Sequence, residues 1–448
     1  MANEEVVPNR FGPDTRHDFH VLKDGDLFAV FPASGEINAR DATIAEARSK
    51  DGLFFRDTRY LSRLSLSING TGLIELGHDA RPNDAGFRSD LANARLIDSL
   101  GTEFLDFELH IRRERFLSDG LYDQIEISNY GTETAELDIV IECWADFRDI
   151  FEIRGAEPTE RGETLPTAFE NGEIRFGYAS ADGRILSTRV RFEPAPRFDS
   201  GRAHVTLSVP PKARREVCCT VHVNERASED ATGGPDKSDE DVKARHGWQD
   251  PTHPAPSFAE AKNALTARMN DRIDRLKRIR TSRPSFDDWL SRSASDLAIL
   301  TADLPTGPYP YAGVPWFSVP FGRDGLIAAL QTLWLDPAIA AGVLDFLAAT
   351  QATKWMRSAM RSPERYCTST ATASLHAPGR CRSTIITVAS TRRFSSSCWP
   401  MPTGRARETA NACAACCPRS APRWTGPRST GIATATGSSN TRAPPRPA

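Results

Sequence analysis

The sequence has 448 residues, 39% of them hydrophobic and 26% charged, which is room for two or three domains around a large buried core. Its net charge of −3 averages two unlike pieces: Trp355–Ala448 holds 14 Arg, no Lys, no Asp and two Glu, or +12, against −15 for the first 354 residues. Six of the nine Cys also fall in that last stretch, leaving Cys143, Cys218 and Cys219 in an acidic body that reads as a reduced cytoplasmic protein. The acidic opening MANEEVVPNRFGPD lacks the apolar centre of a secretory signal, and no run of 18 apolar residues suggests a membrane-spanning helix.

Residues 1–16 read as a flexible N-terminus, and residues 17–224 as an antiparallel β-sandwich. LSLSINGTGLIEL alternates at Leu64, Leu66 and Ile68 and then meets Asn69-Gly70, a strong hairpin signal. FLDFELHIRRERF continues the alternation at Leu105, Phe107, Leu109 and Ile111. Two more strands flank Gly131, another pair turns at Asp182-Gly183, and HVTLSVPPKARREVCCTVHV gives a last pair. Many short strands at regular spacing are the pattern of a sandwich. Residues 225–256, charged and rich in Pro and Gly, read as a linker.

From residue 257 to 354 the period becomes 3.6. SFAEAKNALTARMNDRIDRLKRI is an amphipathic helix, and PSFDDWLSRSASDLAILTADL is another, with Ser285 and Asp288 spaced as a capping box. A Pro-rich loop, PTGPYPYAGVPWFSVPFGRDG, leads to a helix over LIAALQTLWL; Asp336 then caps a helix whose first turn holds Pro337.

The last 94 residues fit no element. They hold 26 Ser or Thr, 15 Ala and 10 Pro but one Leu, Leu375. Arg without Lys, with Ala, Pro, Ser and Thr in excess, is the composition of a GC-rich gene read out of frame. Joining the third base of each codon to the first two of the next turns Lys354-Trp355-Met356 into Val-Asp. One fixed offset allows YYGSVD from the stretch after Arg382 and DGFIEY from the stretch after Ile432. Residues 355–448 are therefore expected to be a disordered, frameshifted tail. The CAACC run at Cys413–Cys417 then has metal-like spacing by accident, and the tail's Arg content, without motif or regular aromatic interleaving, does not indicate nucleic-acid recognition.

HVLKDGDLFAVFPASGEI, DGLFFRDTRYLSRLSLSINGTG and YDQIEISNYG, followed by GVPWFSVPFGRDGLIAALQTLWLDP and FLAATQAT, resemble the bacterial amylo-α-1,6-glucosidase or glycogen-debranching-enzyme-like glycoside hydrolases over about residues 17–354. The resemblance implies an N-terminal β-sandwich followed by the first helices of an (α/α)6 toroid whose funnel binds a terminal glucose. It implies hydrolysis of α-glucosidic bonds, α-1,6 branch linkages of glycogen-like glucans foremost, by a carboxylic acid and a carboxylate about 6.5–9.5 Å apart, with no cofactor. The YYGSVD and DGFIEY segments belong to that machinery. Here they exist only in the alternative frame, so the expected chain is a truncated, inactive member with its catalytic residues beyond residue 354.

Residue by residue, the resemblance assigns Arg323 and Asp324 of PFGRDGL to sugar binding, although an Asp at a helix start also serves the helix dipole. Trp316 and Phe317 are either funnel aromatics or packing against the sandwich, and Tyr309 and Tyr311 are weaker candidates. Asp57 and Arg59 of FFRDTRYLS either project toward the funnel or form a structural ion pair at the domain interface. His17 and His20 have no third ligand placed, so no metal is expected. The other reading from a different class is a non-enzymatic carbohydrate-binding sandwich. The expected partner is a glucan or oligosaccharide, with neither nucleic acid nor membrane.

Overall fold

The computed structural model describes residues 19–39, 49–81, 86–155, 161–170, 172–199, 201–227, 256–276, 279 and 281–351. The expected flexible start at 1–16, His17, most of the 225–256 linker and the whole 355–448 tail lie outside the described residues.

In chain order the first strands are β1 (Phe19–Asp24), β2 (Leu27–Pro32), β3 (Ile37–Asn38), β4 (Gly52–Phe55), β5 (Thr58–Leu61), β6 (Arg63–Ile68), β7 (Leu73–Arg81) and β8 (Gly86–Asn93). There follow β9 (Leu96–Ile97), β10 (Glu103–Phe104), β11 (Leu109–Leu117), β12 (Leu121–Asn129), β13 (Ala135–Trp144) and a one-turn helix, α1 (Ile150–Ile153). The set closes with β14 (Glu163–Glu170), β15 (Glu173–Ala179), β16 (Arg184–Glu193), β17 (Arg197–Asp199), β18 (Arg202–Val209) and β19 (Arg214–Ala227). An eight-stranded sheet in the order β14-β15-β16-β19-β12-β11-β8-β7 faces a five-stranded sheet, β17-β18-β13-β6-β3. A smaller sheet, β1-β2-β4-β5, adjoins them, and the pairings are antiparallel. Period-two alternation sends Ile111, Ile125, Ile127 and Val217 from one sheet, and Leu64, Ile68, Ile139 and Val205 from the other, into one shared core.

The turn residues sit where the sequence puts them, but several connections differ. Asn69 and Gly70 take φ of 49° and 73° and close a two-residue turn between Ile68 and Thr71. The turn joins β6 to β7, which belong to different sheets, so the expected hairpin is an arch across the core. The Asn69 side chain explains this: it accepts from Asp138 N at 2.7 Å and donates to Ile97 O at 2.9 Å, tying the turn to other strands instead of its successor. The β12–β13 and β18–β19 connections also change sheet, whereas Asp182-Gly183 closes a paired β15–β16 hairpin. Leu105 and Phe107 are exposed and precede β11, because a Leu105–Glu108 turn interrupts the alternation there. Within β11, Arg113 and Arg115 occupy inward positions. They are wholly buried and converge on Asp123, with Arg113 Nη1 also 2.6 Å from Glu36 Oε1.

The C-terminal part consists of α2 (Phe258–Leu276), α3 (Pro284–Leu300), β20 (Thr301–Leu304), β21 (Gly307–Pro310), α4 (Gly322–Thr332) and α5 (Pro337–Ala349). Helix α2 lays Ala261, Leu265, Met269 and Ile273 in one cluster with Phe116 and Tyr122 of the eight-stranded sheet. Lys262 Nζ reaches Glu114 at 2.6 Å, and Arg268 reaches Asp24 at 2.9 Å. The Ser285–Asp288 capping box is not formed. Pro284 takes the first helical turn, Arg283 stands at the cap without a side-chain bond, and Asp287 accepts from the amide and hydroxyl of Thr281. TADL, expected to end that helix, is instead β20 of a small hairpin with β21. Asp336 does cap α5, accepting from Ala338 N at 3.0 Å, with Pro337 in the first turn. Helix α5 presses so closely on β21 that a Cβ on Gly342 would stand 2.4 Å from Pro308 O. No helix among the described residues is long and apolar enough to cross a membrane.

Candidate functional site

The motif DGLFFRDTRYLS forms the β4–β5 hairpin, and its two acid–base residues go separate ways. Arg59 points inward and is wholly buried. Its guanidinium engages both oxygens of Asp146 and the carbonyls of Ser49 (2.7 Å) and Asp51 (3.2 Å). A Cβ on Gly52 would lie 2.5 Å from Arg59 Cδ, so the glycine of the motif makes room for the arginine. Arg59 thus makes an ion pair inside the sandwich, with Asp146 and not with Asp57.

Arg56 and Asp57 form the two-residue turn, both left-handed at φ 46° and 66°. That turn meets α1 through Ile150 N, which donates to Asp57 O at 2.9 Å, and meets the β1–β2 turn through Arg56 Nε, 3.2 Å from Asp26 Oδ2. The Asp57 side chain is 2% exposed, and its Oδ1 has no hydrogen-bond partner among the described residues. Burial, then the nearby Asp149 and Asp26 carboxylates, push its pKa up to about 7. Asp149 spends its Oδ1 capping α1 on Phe151 N and Glu152 N, and Glu152 answers the Asp149 amide in a capping box.

The C-terminal part closes over this turn. Tyr311 donates its hydroxyl to Asp26 Oδ1 at 2.5 Å, and Lys23 Nζ lies 4.2 Å from the Tyr311 ring centre. Burial lowers the Lys23 pKa to about 8 against the pull of Asp26 and Asp24, and burial raises that of Tyr311. Trp316 and Val314 pack on Phe28, Val30, Phe54, Ile150 and Ile153, with the Arg154 guanidinium 5.7 Å from the Trp316 ring. Trp316 is half-buried in this contact with the sandwich.

Phe317, Arg323 and Asp324 remain at the surface. Phe317 is exposed and edge-on to Phe321 at 5.8 Å. Arg323 and Asp324 open α4 and lie 3.5 Å apart, Asp324 in the first turn where a negative charge favours the helix dipole. Tyr309 is a core residue: its hydroxyl donates to Phe321 O at 2.9 Å and its ring meets Phe346. His20 packs on Phe87 and His78 at 4.7 Å each. Among the described residues no group of three or more His, Cys, Asp or Glu is placed to hold a metal ion. The seam thus gathers Asp57, Trp316 and Tyr311 with residues the sequence reading passed over: Lys23, Asp26 and Asp149. For Asp149 a signal existed, since D-x-x-E at Asp149–Glu152 is a capping-box spacing.

Residues 22–220 match the family described as the N-terminal domain of some glycogen debranching enzymes. No curated protein matches the sequence. Among solved structures, a protein described as a kojibiose phosphorylase from the human microbiome aligns with 9% identity and a TM-score of 0.48, over 75% of this chain and 48% of that one. One described as an aldose 1-epimerase from Escherichia coli K12 aligns with 9% identity and a TM-score of 0.26, over 46% of this chain and 99% of the other. A galactose mutarotase-like protein from Clostridium acetobutylicum aligns with 8% identity and a TM-score of 0.24, over 47% and 96%. The chain spans about half the length of the kojibiose phosphorylase. Residues 22–220, somewhat less than half of the chain, are thus similar to the N-terminal domain of some glycogen debranching enzymes, and the likeness is confined to that part.

Proposed function

We propose that the parent protein hydrolyses α-glucosidic linkages of glycogen-like glucans, α-1,6 branch points foremost, by paired-carboxylate acid/base catalysis, and that the chain as read here does not turn over. The observation that carries the reading is the debranching-type sandwich, residues 22–220, with the C-terminal helices seated on it through Trp316. In this reading the helices from 257 to 354 open an (α/α)6 toroid. Phe317, Arg323 and Asp324, all at least partly exposed around the start of α4, contact the sugar; Trp316 and Asp57 hold the seam behind them, and Arg59 organises the hairpin that carries Asp57. The catalytic carboxylates are expected beyond residue 354, at or after the YYGSVD and DGFIEY segments that exist only in the alternative frame, which supports inactivity. The thiols Cys143, Cys218 and Cys219 are free, which supports a cytoplasmic setting.

The test is glucose release from a branched oligosaccharide by the purified chain. The expected result is none above a mock preparation; sustained release at a rate proportional to protein would overturn the claim of inactivity.

A further inference from the structure

The sandwich carries a second surface, far from the seam, whose construction asks for a ligand. Ile97, Leu100, Leu105, Phe107 and Tyr130 are 55–77% exposed; Ile97 ends the short β9 and the others come from the loops at one end of β8, β11 and β12. Three buried polar side chains hold those loops rigid. Asp98 accepts from Leu100 N, Thr102 N and Glu136 N, fixing the loop that displays Leu100. Asn93 donates to Ala94 O and Leu105 O and accepts from Leu109 N, fixing the turn that displays Phe107. Asn129 donates to Glu133 O and Val209 O and accepts from Gly131 N, fixing the turn that displays Tyr130. Tyr130 N donates to Glu108 O at 2.8 Å, which joins the last two turns into one surface.

Phe107 is the telling residue. It takes φ 69° in the Leu105–Glu108 turn, a conformation that glycine adopts freely and a bulky side chain does not. Its ring is 57% exposed, so core packing does not compensate for the strain. Surface loops are ordinarily polar, and an apolar group anchored in solvent marks an interaction site. Glu103, Asp106 and Glu108 surround the patch against Arg95, which is paired with Glu103, and Lys212, whose amide donates to Asn129 O, so the local charge is net negative and disfavours polyanions. Aromatic and aliphatic faces beside carboxylate acceptors suit a neutral polyhydroxylated chain, whose sugar rings offer C–H faces for stacking and hydroxyls for donation.

We propose that Phe107 and Tyr130, flanked by Leu100 and Leu105, form a glucan-anchoring surface separate from the seam. This rests on the glucan reading above. Along β11 the patch begins beside His110, whose ring meets Tyr130 at 6.5 Å, whereas α2 docks at Phe116, six residues or about 20 Å away. The turn just beyond that end of β11 meets the β1–β2 turn, where Asp119 N donates to Asp24 Oδ2 at 3.0 Å, so a glucan long enough to reach the seam as well would gain from multivalency.

The test is binding of glycogen by the full chain, measured by affinity electrophoresis, for the wild type, the double variant Phe107→Gly with Tyr130→Ala, and Phe317→Ala. Phe107→Gly removes the ring and the strain together, so the fold is not threatened. The expected result is a tenfold or greater loss of affinity in the double variant, with an unchanged melting temperature. Wild-type binding that the double variant retains overturns this inference and leaves the glucan reading standing, more so if Phe317→Ala abolishes it. A wild type that does not retard on glycogen overturns both. Self-association lost in the double variant, with glycogen binding intact, would make the patch a contact between copies and also overturn the inference.

Discussion

The sandwich and the helical part treat their apolar side chains differently. The two facing sheets bury most of theirs in one continuous core, with Leu76, Trp144 and Phe169 exposed on its strands, whereas the much shorter helical part leaves Phe286 and Trp289 on α3, Ile327 and Leu330 on α4, and Trp334 just after it in solvent. The sandwich can even afford a buried cluster of Arg113, Arg115, Asp123 and Glu36, because its strands supply partners from both sides. The sandwich thus closes a core within itself, whereas the helical part leaves apolar side chains without cover among the described residues. Among the described residues the two meet at the seam of Trp316, Tyr311 and Asp57 and along the α2 face on Phe116 and Tyr122, with the Lys262–Glu114 and Arg268–Asp24 pairs beside it.

The sharpest way to break this contrast is inside the sandwich. Asp123→Ala leaves two buried guanidinium groups facing each other and is expected to cost about 3–5 kcal/mol. Urea denaturation followed by circular dichroism should show the whole chain unfolding early, helices included, since they lean on this body.

Asp57→Asn probes the seam, and its effect depends on pH. The folded state raises the Asp57 pKa to about 7, so it holds the proton more tightly than the unfolded chain does. The stability this gives is fully present below the unfolded value near 4 and is lost as pH rises through about 7. The wild type should therefore lose on the order of 2–4 kcal/mol between pH 4 and pH 8 from this group, a slope that the Asn variant lacks. At pH 8 the variant is expected to be the more stable protein, read as the difference between two melting curves across that range.

Trp316→Ala removes the side chain that docks on Phe28, Phe54 and Ile150, and for a half-buried aromatic the expected cost is about 2–3 kcal/mol. Hydrogen exchange should then rise in α4 and α5 while β11 and β12 keep their protection. The smallest effect belongs to Asp336→Ala, which loses one capping bond to Ala338 N and about 1 kcal/mol, confined to α5.

Local chemistry was legible in the sequence to the extent that it was local. The Asp336-Pro337 start, the Asn69-Gly70 turn and the Asp182-Gly183 hairpin follow from backbone preferences that neighbours do not override. Which sheet a strand joins is decided by the partners of the turn, such as Asn69 reaching Asp138 and Ile97, and period-two alternation carries no such information. Arg113 and Arg115 follow Leu109 and Ile111 at period two and so face inward, but the alternation does not say that Asp123 and Glu36 meet them there. The FFRDTRYLS motif was visible as a unit, but its split into a core pair, Arg59–Asp146, and an Asp57 whose Oδ1 has no partner among the described residues depends on Asp146, 87 residues after Arg59. Lys23, Asp26 and Tyr311 meet only because the C-terminal part returns to the β1–β2 turn, a contact spanning 285 residues.

One experiment reaches the centre of the account: inserting a single base near the codon for Lys354 and comparing the restored chain with the original on a branched α-glucan, with tryptophan fluorescence in parallel. The expected result is glucose release by the restored chain alone, together with a blue shift as Trp289 and Trp334 lose contact with water. A restored chain that releases no glucose and keeps those tryptophans in water, or an original chain that already hydrolyses the glucan, would contradict it.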